Sequence, residues 1–355
     1  MNKLPVIAYR AEASTELGLG HFIHAMRFAR LLKDKEIARV HVISGKSDIA
    51  KTIATKHHVP LKICPWSCGV GDFKTVYKIC RQIEACAVAV NFSKTQLDSA
   101  LPLFQALKDA KLPQIHFDNP CEHFSFADIL INALPFPNYG LDYSSHPALY
   151  QSLDYLLLSA EFVRASKNSN IRAGRADRIL VFMGGGDKDN ISIKILRALK
   201  NCNFSGVVEL VIGLANPHYD SLKGVCGQLP FEVVLHQNPS NLADIASRCD
   251  IGFSALGVAT YEFASTGLPV VILANSIVNG QVAQSYSKAG AAVSLGYHED
   301  CGIESLSERI HLILGDEERL TRMSQRAKVL IDGKGPERIV EILSNFIDEI
   351  QKHGR

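Results

Sequence analysis

Short, almost continuously apolar runs rich in Val, Ile and Ala recur along the chain, and longer segments with helical periodicity separate them. Six runs occupy residues 4–10, 38–44, 61–64, 87–92, 114–117 and 129–132; six more occupy 178–183, 207–212, 232–236, 251–254, 269–273 and 292–295. A strand with one wet face alternates apolar and polar residues, whereas a strand buried on both faces of a parallel sheet does not. Between the first two runs, Phe22, Ile23, Met26, Ala29 and Leu32 form one apolar stripe, as on a helix that covers a sheet. Two successive β/α series predict an α/β fold of two doubly wound, Rossmann-type domains with a cleft between them. The boundary is expected within residues 161–177, where Ser, Lys, Asn and Arg break the apolar rhythm. This gives an N-terminal domain over 1–165 and a C-terminal domain over 166–355, with the last helix packing back on the first domain. Residues 135–147, with Pro, Asn, Gly, Tyr and Ser, read as a long loop.

A length of 355 residues suits two domains, each with its own core. Thirty-eight Lys and Arg against 36 Asp and Glu leave a net charge of +2 and no polybasic block, which argues against a dedicated nucleic-acid binder. No apolar run reaches the roughly 18 residues of a membrane span, and the N-terminal apolar stretch is too short for a signal peptide. A cytoplasmic monomer is expected. The nine cysteines are scattered, and Cys64 and Cys68 lack the spacing of a zinc or redox pair. They read as reduced packing residues, so neither metal nor cofactor is expected. His57 and His58 read as a solvated helix end.

Three strand-to-helix turns carry candidate chemistry. The segment 10–21 ends in Gly18-Leu-Gly20-His21, where glycines allow a tight turn and close approach to a ligand. His21 is a candidate general base; the alternative is a cap of the following helix, in a turn capped by Ser14 or Thr15. The segment 181–187 runs into Gly184-Gly185-Gly186-Asp187 without matching the dinucleotide fingerprint or a phosphate-binding P-loop. In the segment 254–262, Gly257 sits at the turn mouth, where amides can meet phosphate, and Thr260 can add a hydroxyl. Glu262 can accept hydrogen bonds from ribose hydroxyls, or be a surface carboxylate in the first turns of a helix. Asn275, Asn279 and Gln281 follow the run 269–273; they either bind a ligand or close a loop. All these segments lie at carboxyl ends of strands, where open α/β sheets bind ligands.

Taken together, the segments 10–21, 184–187 and 254–262 and the Asn279/Gln281 region resemble the UDP-sugar hydrolases of pseudaminic acid biosynthesis. Those enzymes act on UDP-2,4-diacetamido-2,4,6-trideoxy-β-L-altropyranose and are similar to spore-coat polysaccharide proteins and MurG-like glycosyltransferases. The resemblance extends to Phe117-Asp118-Asn119, to 128–132 and to 332–338, and so covers nearly the whole chain. It implies a GT-B-like fold with the sugar on the N-terminal domain and UDP on the C-terminal one. By position, His21 would activate water for attack at the anomeric carbon. Arg10, Glu12, Gly18, Gly20, His24, Asn91 and Asp118 would meet the sugar. Gly185, Gly186, Ser254, Gly257, Thr260, Glu262, Asn279 and Gln281 would hold the nucleotide. The chain departs from the pattern at His24, where the family has Arg; at Asn91-Phe92-Ser93, where it has Asp-x-Tyr; and at Glu12, where it has Asp. Hydrolysis of a UDP-linked acetamido-deoxy hexose for surface glycan synthesis is the leading expectation. A GT-B glycosyltransferase with a UDP-sugar donor is the second, and a catalytically impaired sugar-nucleotide binding homologue the third.

Overall fold

The computed structural model describes residues 4–13, 19–65, 72–92, 94–119, 122–135, 141–172 and 176–352. The chain forms two compact units, Met1–Leu157 with Lys334–Arg355, and Leu158–Gly333. The first holds strands β1 (Val6–Arg10), β2 (Arg39–Ser44), β3 (Leu61–Ile63), β4 (Ala85–Val90), β5 (Gln114–Phe117), β6 (Ile129–Asn132) and β7 (Leu149–Gln151). They are all parallel, in the order β3-β2-β1-β4-β5-β6-β7. The second holds β8 (Arg178–Phe182), β9 (Val207–Ile212), β10 (Glu232–Gln237), β11 (Ile251–Ser254), β12 (Val270–Ala274) and β13 (Ala292–Tyr297), again parallel, in the order β10-β9-β8-β11-β12-β13. In both sheets the winding direction reverses beside the unit's first strand, between β1 and β4 and between β8 and β11. The carboxyl ends flanking such a reversal form the crevice in which these sheets bind ligands.

The unbroken apolarity of the strands follows from two cores per sheet. In the first unit Ile7, Tyr9, Val40, Val42, Ala87 and Ala89 face one core, with Phe22, Met26, Phe28 and Leu32 of the helix Gly20–Asp34. Ala8, Ile43, Val88 and Val90 face the other, with Val76, Cys80, Phe104 and Leu107 of the helices Asp72–Gln82 and Leu101–Asp109. Burying each large apolar side chain contributes about 1.5–3 kcal/mol, so the central strands are apolar on both faces. The described cysteines carry free thiols. His57 caps the C-terminus of the helix Asp48–Lys56, the helix end read from the sequence.

Three features mark the limits of the two units and the edge of the first sheet. The second unit begins at Leu158 rather than 166, because residues expected in the boundary form the helix Ala160–Asn168. Ser159 caps that helix by accepting from Phe162 N, and Phe162 buries itself 6.0 Å from the Phe263 ring; Arg164, Lys167 and Asn168 are its wet face, not a linker. Residues 334–355 belong to the first unit: the helix Gly335–Lys352 buries Ile339, Leu343, Ile347 and Ile350 in the core beneath β1 and β2. Finally, β7 follows the 135–147 segment and adds an edge to the sheet, pairing Leu149 with Leu130.

Candidate functional site

At the first reversal, β1 ends on Arg10 and β4 leads into Asn91. Arg10 is 0% exposed and Glu12 is 6% exposed. The Arg10 guanidinium donates to Glu12 Oε1 at 2.5 Å and to the carbonyls of Ala11 and Ile43 at 3.3 Å each, and lies 5.7 Å from the Phe92 ring centre. Glu12 Oε2 accepts from Gly45 N at 2.9 Å and Ser44 Oγ at 3.2 Å. Expected to meet a sugar, both side chains instead lie beneath the surface. They tie β1 to the loop after β2, since a buried ion pair must satisfy its lone pairs and protons locally.

His21, in the first turn of the helix Gly20–Asp34, puts Nδ1 2.6 Å from Asn91 Oδ1. With the amide oxygen of Asn91 towards the ring, Nδ1 donates and Nε2 keeps its lone pair. Burial lowers the His21 pKa, and the Asn91 hydrogen bond opposes this in part. The ring is therefore neutral near pH 7. The Asn91 amide also hydrogen-bonds the Tyr9 hydroxyl, which is 2.7 Å from His24 Nδ1. Burial, with Arg27 and His21 nearby, pushes the His24 pKa down to about 3. His24 packs against Phe117 at 4.8 Å between ring centres. Placed with the sugar by the sequence reading, it is a buried neutral ring at the end of a chain of side chains. Tyr9 was missed, yet a tyrosine within a fully buried strand must find a partner for its hydroxyl. Asp118, at φ 47°, accepts from Leu134 N at 2.9 Å and from Ala133 N. Burial outweighs these bonds and pushes its pKa up to about 6. Gly20 opens the helix with no atom within 4 Å of where a Cβ would stand. Gly18, Ser93, Ser14 and Thr15 lie outside the described residues.

At the second reversal, β8 runs into Gly184-Gly185-Gly186. Gly184, at φ +91°, has the left-handed backbone that a side chain resists. Gly185 packs on Gly213 so closely that a Cβ at 213 would stand 2.4 Å from Gly185 Cα. Gly186 is open, with nothing within 4 Å of its Cβ position. Asp187 turns inward and accepts from Ile191 N at 2.7 Å and Ser192 N at 3.1 Å, capping the helix Ile191–Asn201.

After β11 the helix Val258–Ser265 starts on Gly257, which has no side chain to occupy the first-turn amides. Thr260 is 0% exposed; its Oγ1 accepts from Gly257 N at 3.2 Å and lies 2.8 Å from Ser254 Oγ. Ser254 and Thr260, expected to touch the nucleotide, instead clamp the turn from below. Glu262 is 1% exposed and accepts from Ser159 N at 3.1 Å. It is not a surface carboxylate; it joins this helix to the start of Ala160–Asn168. After β12, Asn279 Nδ2 donates to Asn275 Oδ1 at 2.7 Å, and Gln281 is exposed. Among the described residues no cluster of three or more His, Cys, Asp or Glu could hold a metal ion.

No family model matches the chain. The spore coat polysaccharide biosynthesis protein SpsG of Bacillus subtilis is 24% identical over 359 residues, covering 96% of this chain and 98% of that protein. Among solved structures, Acinetobacter baumannii MurG superposes with a TM-score of 0.71 at 14% identity, covering 96% of this chain and 99% of its own. The spinosyn rhamnosyltransferase SpnG, complexed with thymidine diphosphate, gives 0.63 at 14% identity, covering 96% and 100%. The S. aureus MnaA–UDP structure gives 0.62 at 12% identity, covering 97% of each chain. The fold is that of GT-B proteins, two parallel-sheet α/β units. Among the described residues no helix is long and apolar enough to cross a membrane.

Proposed function

We propose that the protein is an enzyme of polysaccharide biosynthesis that hydrolyses a UDP-sugar, releasing UDP and a free, modified hexose. The observation that carries this is the His21–Asn91 hydrogen bond, which leaves a neutral imidazole with an unprotonated Nε2 at the ligand-binding edge of its sheet. In the reaction Nε2 takes a proton from water as the water oxygen bonds to the anomeric carbon. The bond from that carbon to the UDP oxygen breaks, and its electron pair leaves with UDP. In the second unit the open turn at Gly186 and the uncapped amides after Gly257 suit a diphosphate, because a helix N-terminus stabilises an anion. Ser254 and Thr260 hold those amides in place. Asn279 and Gln281, on the helix Ile277–Lys288 that follows β12, are assigned to the rest of the nucleotide. Likeness to a spore coat polysaccharide biosynthesis protein supports the pathway class, and likeness to UDP- and thymidine diphosphate-bound structures supports the ligand class.

Transfer of the sugar to an alcohol is the second reading, favoured by the likeness to a rhamnosyltransferase. The two differ only in whether water or an acceptor hydroxyl loses its proton to His21. The deciding experiment is UDP release from a panel of UDP-sugars, with and without alcohol acceptors. Release in plain buffer supports hydrolysis, strict acceptor dependence supports transfer, and no release under either condition across UDP-hexosamine and deoxy-hexosamine donors refutes both.

A further inference from the structure

We propose that Asn91 is the positioning residue of His21, fixing the proton on Nδ1 and the lone pair on Nε2, and that Tyr9 and His24 lock Asn91 in the orientation that does so. This rests on the reading of His21 as the base. Four neutral side chains from β1, the end of β4 and one helix form a continuous hydrogen-bonded chain: His21 Nδ1 to Asn91 Oδ1 at 2.6 Å, the Asn91 amide to Tyr9, and Tyr9 Oη to His24 Nδ1 at 2.7 Å. An asparagine can present either end of its amide to a neighbour, so a lone His–Asn contact would leave the imidazole tautomer open. Here the choices are coupled: the tautomers of His21 and His24 and the orientation of Asn91 change only together. With Oδ1 on His21, the Asn91 NH₂ donates to the Tyr9 oxygen, and the Tyr9 hydrogen goes to His24 Nδ1, which must be unprotonated to receive it. The reversed chain would satisfy the same contacts but leave His21 Nε2 protonated and useless as a base, so the reading of His21 as the base selects the first polarity.

The amide also sets the proton affinity of His21. A carboxylate at this place would favour imidazolium by its charge, whereas Asn91 orients the ring without charging it. The ionisable groups around the chain are Tyr9 on β1, His24 and Arg27 on the helix, and Asp118 after β5. Arg27 opposes a second cation, while Asp118 favours one. Burial is the largest influence on His21 and keeps it neutral. Such a base stays competent well into mildly acidic solution.

The test is NMR of the full chain labelled with ¹⁵N-histidine, with the His21 signals assigned from a His21→Asn variant and followed from acid to alkaline pH. The expected result is a neutral His21 protonated on Nδ1 that titrates below about 6.5, the ordinary histidine value. In Asn91→Asp the midpoint should rise by about one to three pH units, the effect of an adjacent carboxylate, and the acid limb of kcat should move with it. In Tyr9→Phe, which removes the lock but not Asn91, His21 should lose its single tautomer. A neutral wild-type His21 protonated on Nε2 would overturn the proposal, as would an unmoved midpoint in a folded Asn91→Asp protein. If Asn91→Asp does not fold, the wild-type tautomer and the Tyr9→Phe spectrum still decide. The spectra need no substrate. A His21→Asn variant with full turnover would therefore remove the base reading while leaving the tautomer result standing, and the converse outcome separates them equally.

Discussion

Removing the buried hydroxyl at residue 260 should cost more than removing the buried methyl beside it. Thr260 is fully buried, and its Oγ1 serves two groups, Gly257 N at 3.2 Å and Ser254 Oγ at 2.8 Å. Thr260→Val keeps the shape and deletes both contacts. Each hydrogen bond contributes about 0.5–1.5 kcal/mol net, and the buried Ser254 hydroxyl, left without this partner, adds its desolvation cost, so a loss of about 2–3 kcal/mol follows. Thr260→Ser keeps both contacts and loses one methyl, at about 0.5–1.5 kcal/mol. Urea denaturation of the two variants, followed by a probe in the second unit, gives the comparison. Calorimetry with UDP gives the functional half: Thr260→Val should bind more weakly by about tenfold, because the amides after Gly257 lose their clamp, and Thr260→Ser should bind nearly as wild type. If valine costs no more stability than serine and leaves UDP binding unchanged, the hydroxyl does not hold the turn.

His21→Asn should reduce turnover by about 10²–10⁴-fold, the usual worth of a general base, with UDP affinity little changed; steady-state kinetics beside calorimetry checks both. Glu262→Gln retains an oxygen for Ser159 N and should be nearly neutral to stability, whereas Glu262→Ala should lose about 1–3 kcal/mol, read as a fall in the urea midpoint. Glu209, buried on β9, would be raised by burial alone, but hydrogen bonds from Arg248, His236 and Arg178 outweigh it and hold its pKa at about 2. Since the folded value is depressed, its contribution is full above the ordinary carboxylate range and fades as pH falls from there towards 2. Glu209→Gln should thus cost about 2–3 kcal/mol at pH 7, allowing for the partly exposed arginines, and the gap from wild type should narrow steadily below pH 4.5; urea curves at several pH values measure it.

The strands were legible because burial on both faces leaves an unmistakable record. The runs at 114–117, 129–132, 207–212 and 251–254 coincide with β5, β6, β9 and β11. What escaped was weakly apolar: β7 is three residues at the edge of its sheet, none of them fully buried, so it carries no such record. The helix Ala160–Asn168 was hidden by its own wet face, where Arg164, Lys167 and Asn168 mimic the composition of a linker. Sequence reading sees polarity, and a short helix that buries little more than Phe162 and Ser166 has the polarity of a loop.

The site was less legible than the fold, because residue type identifies chemistry but not accessibility. Arg10, Glu12, Thr260 and Glu262 all have groups suited to a ligand, and all four are satisfied beneath the surface. The positions that stay open are glycines and main-chain amides, at Gly186 and after Gly257, where a sequence shows only the absence of a side chain. Asn91 demonstrates the same limit in reverse. Compared with a family pattern it is a lost carboxylate, yet it lies 70 residues from the histidine that it orients. Only the reversal that puts β4 beside β1 brings the two together. A polar residue at the end of a buried strand therefore takes its meaning from the neighbouring strand, and in a doubly wound sheet that neighbour is set by the winding order rather than by proximity in sequence.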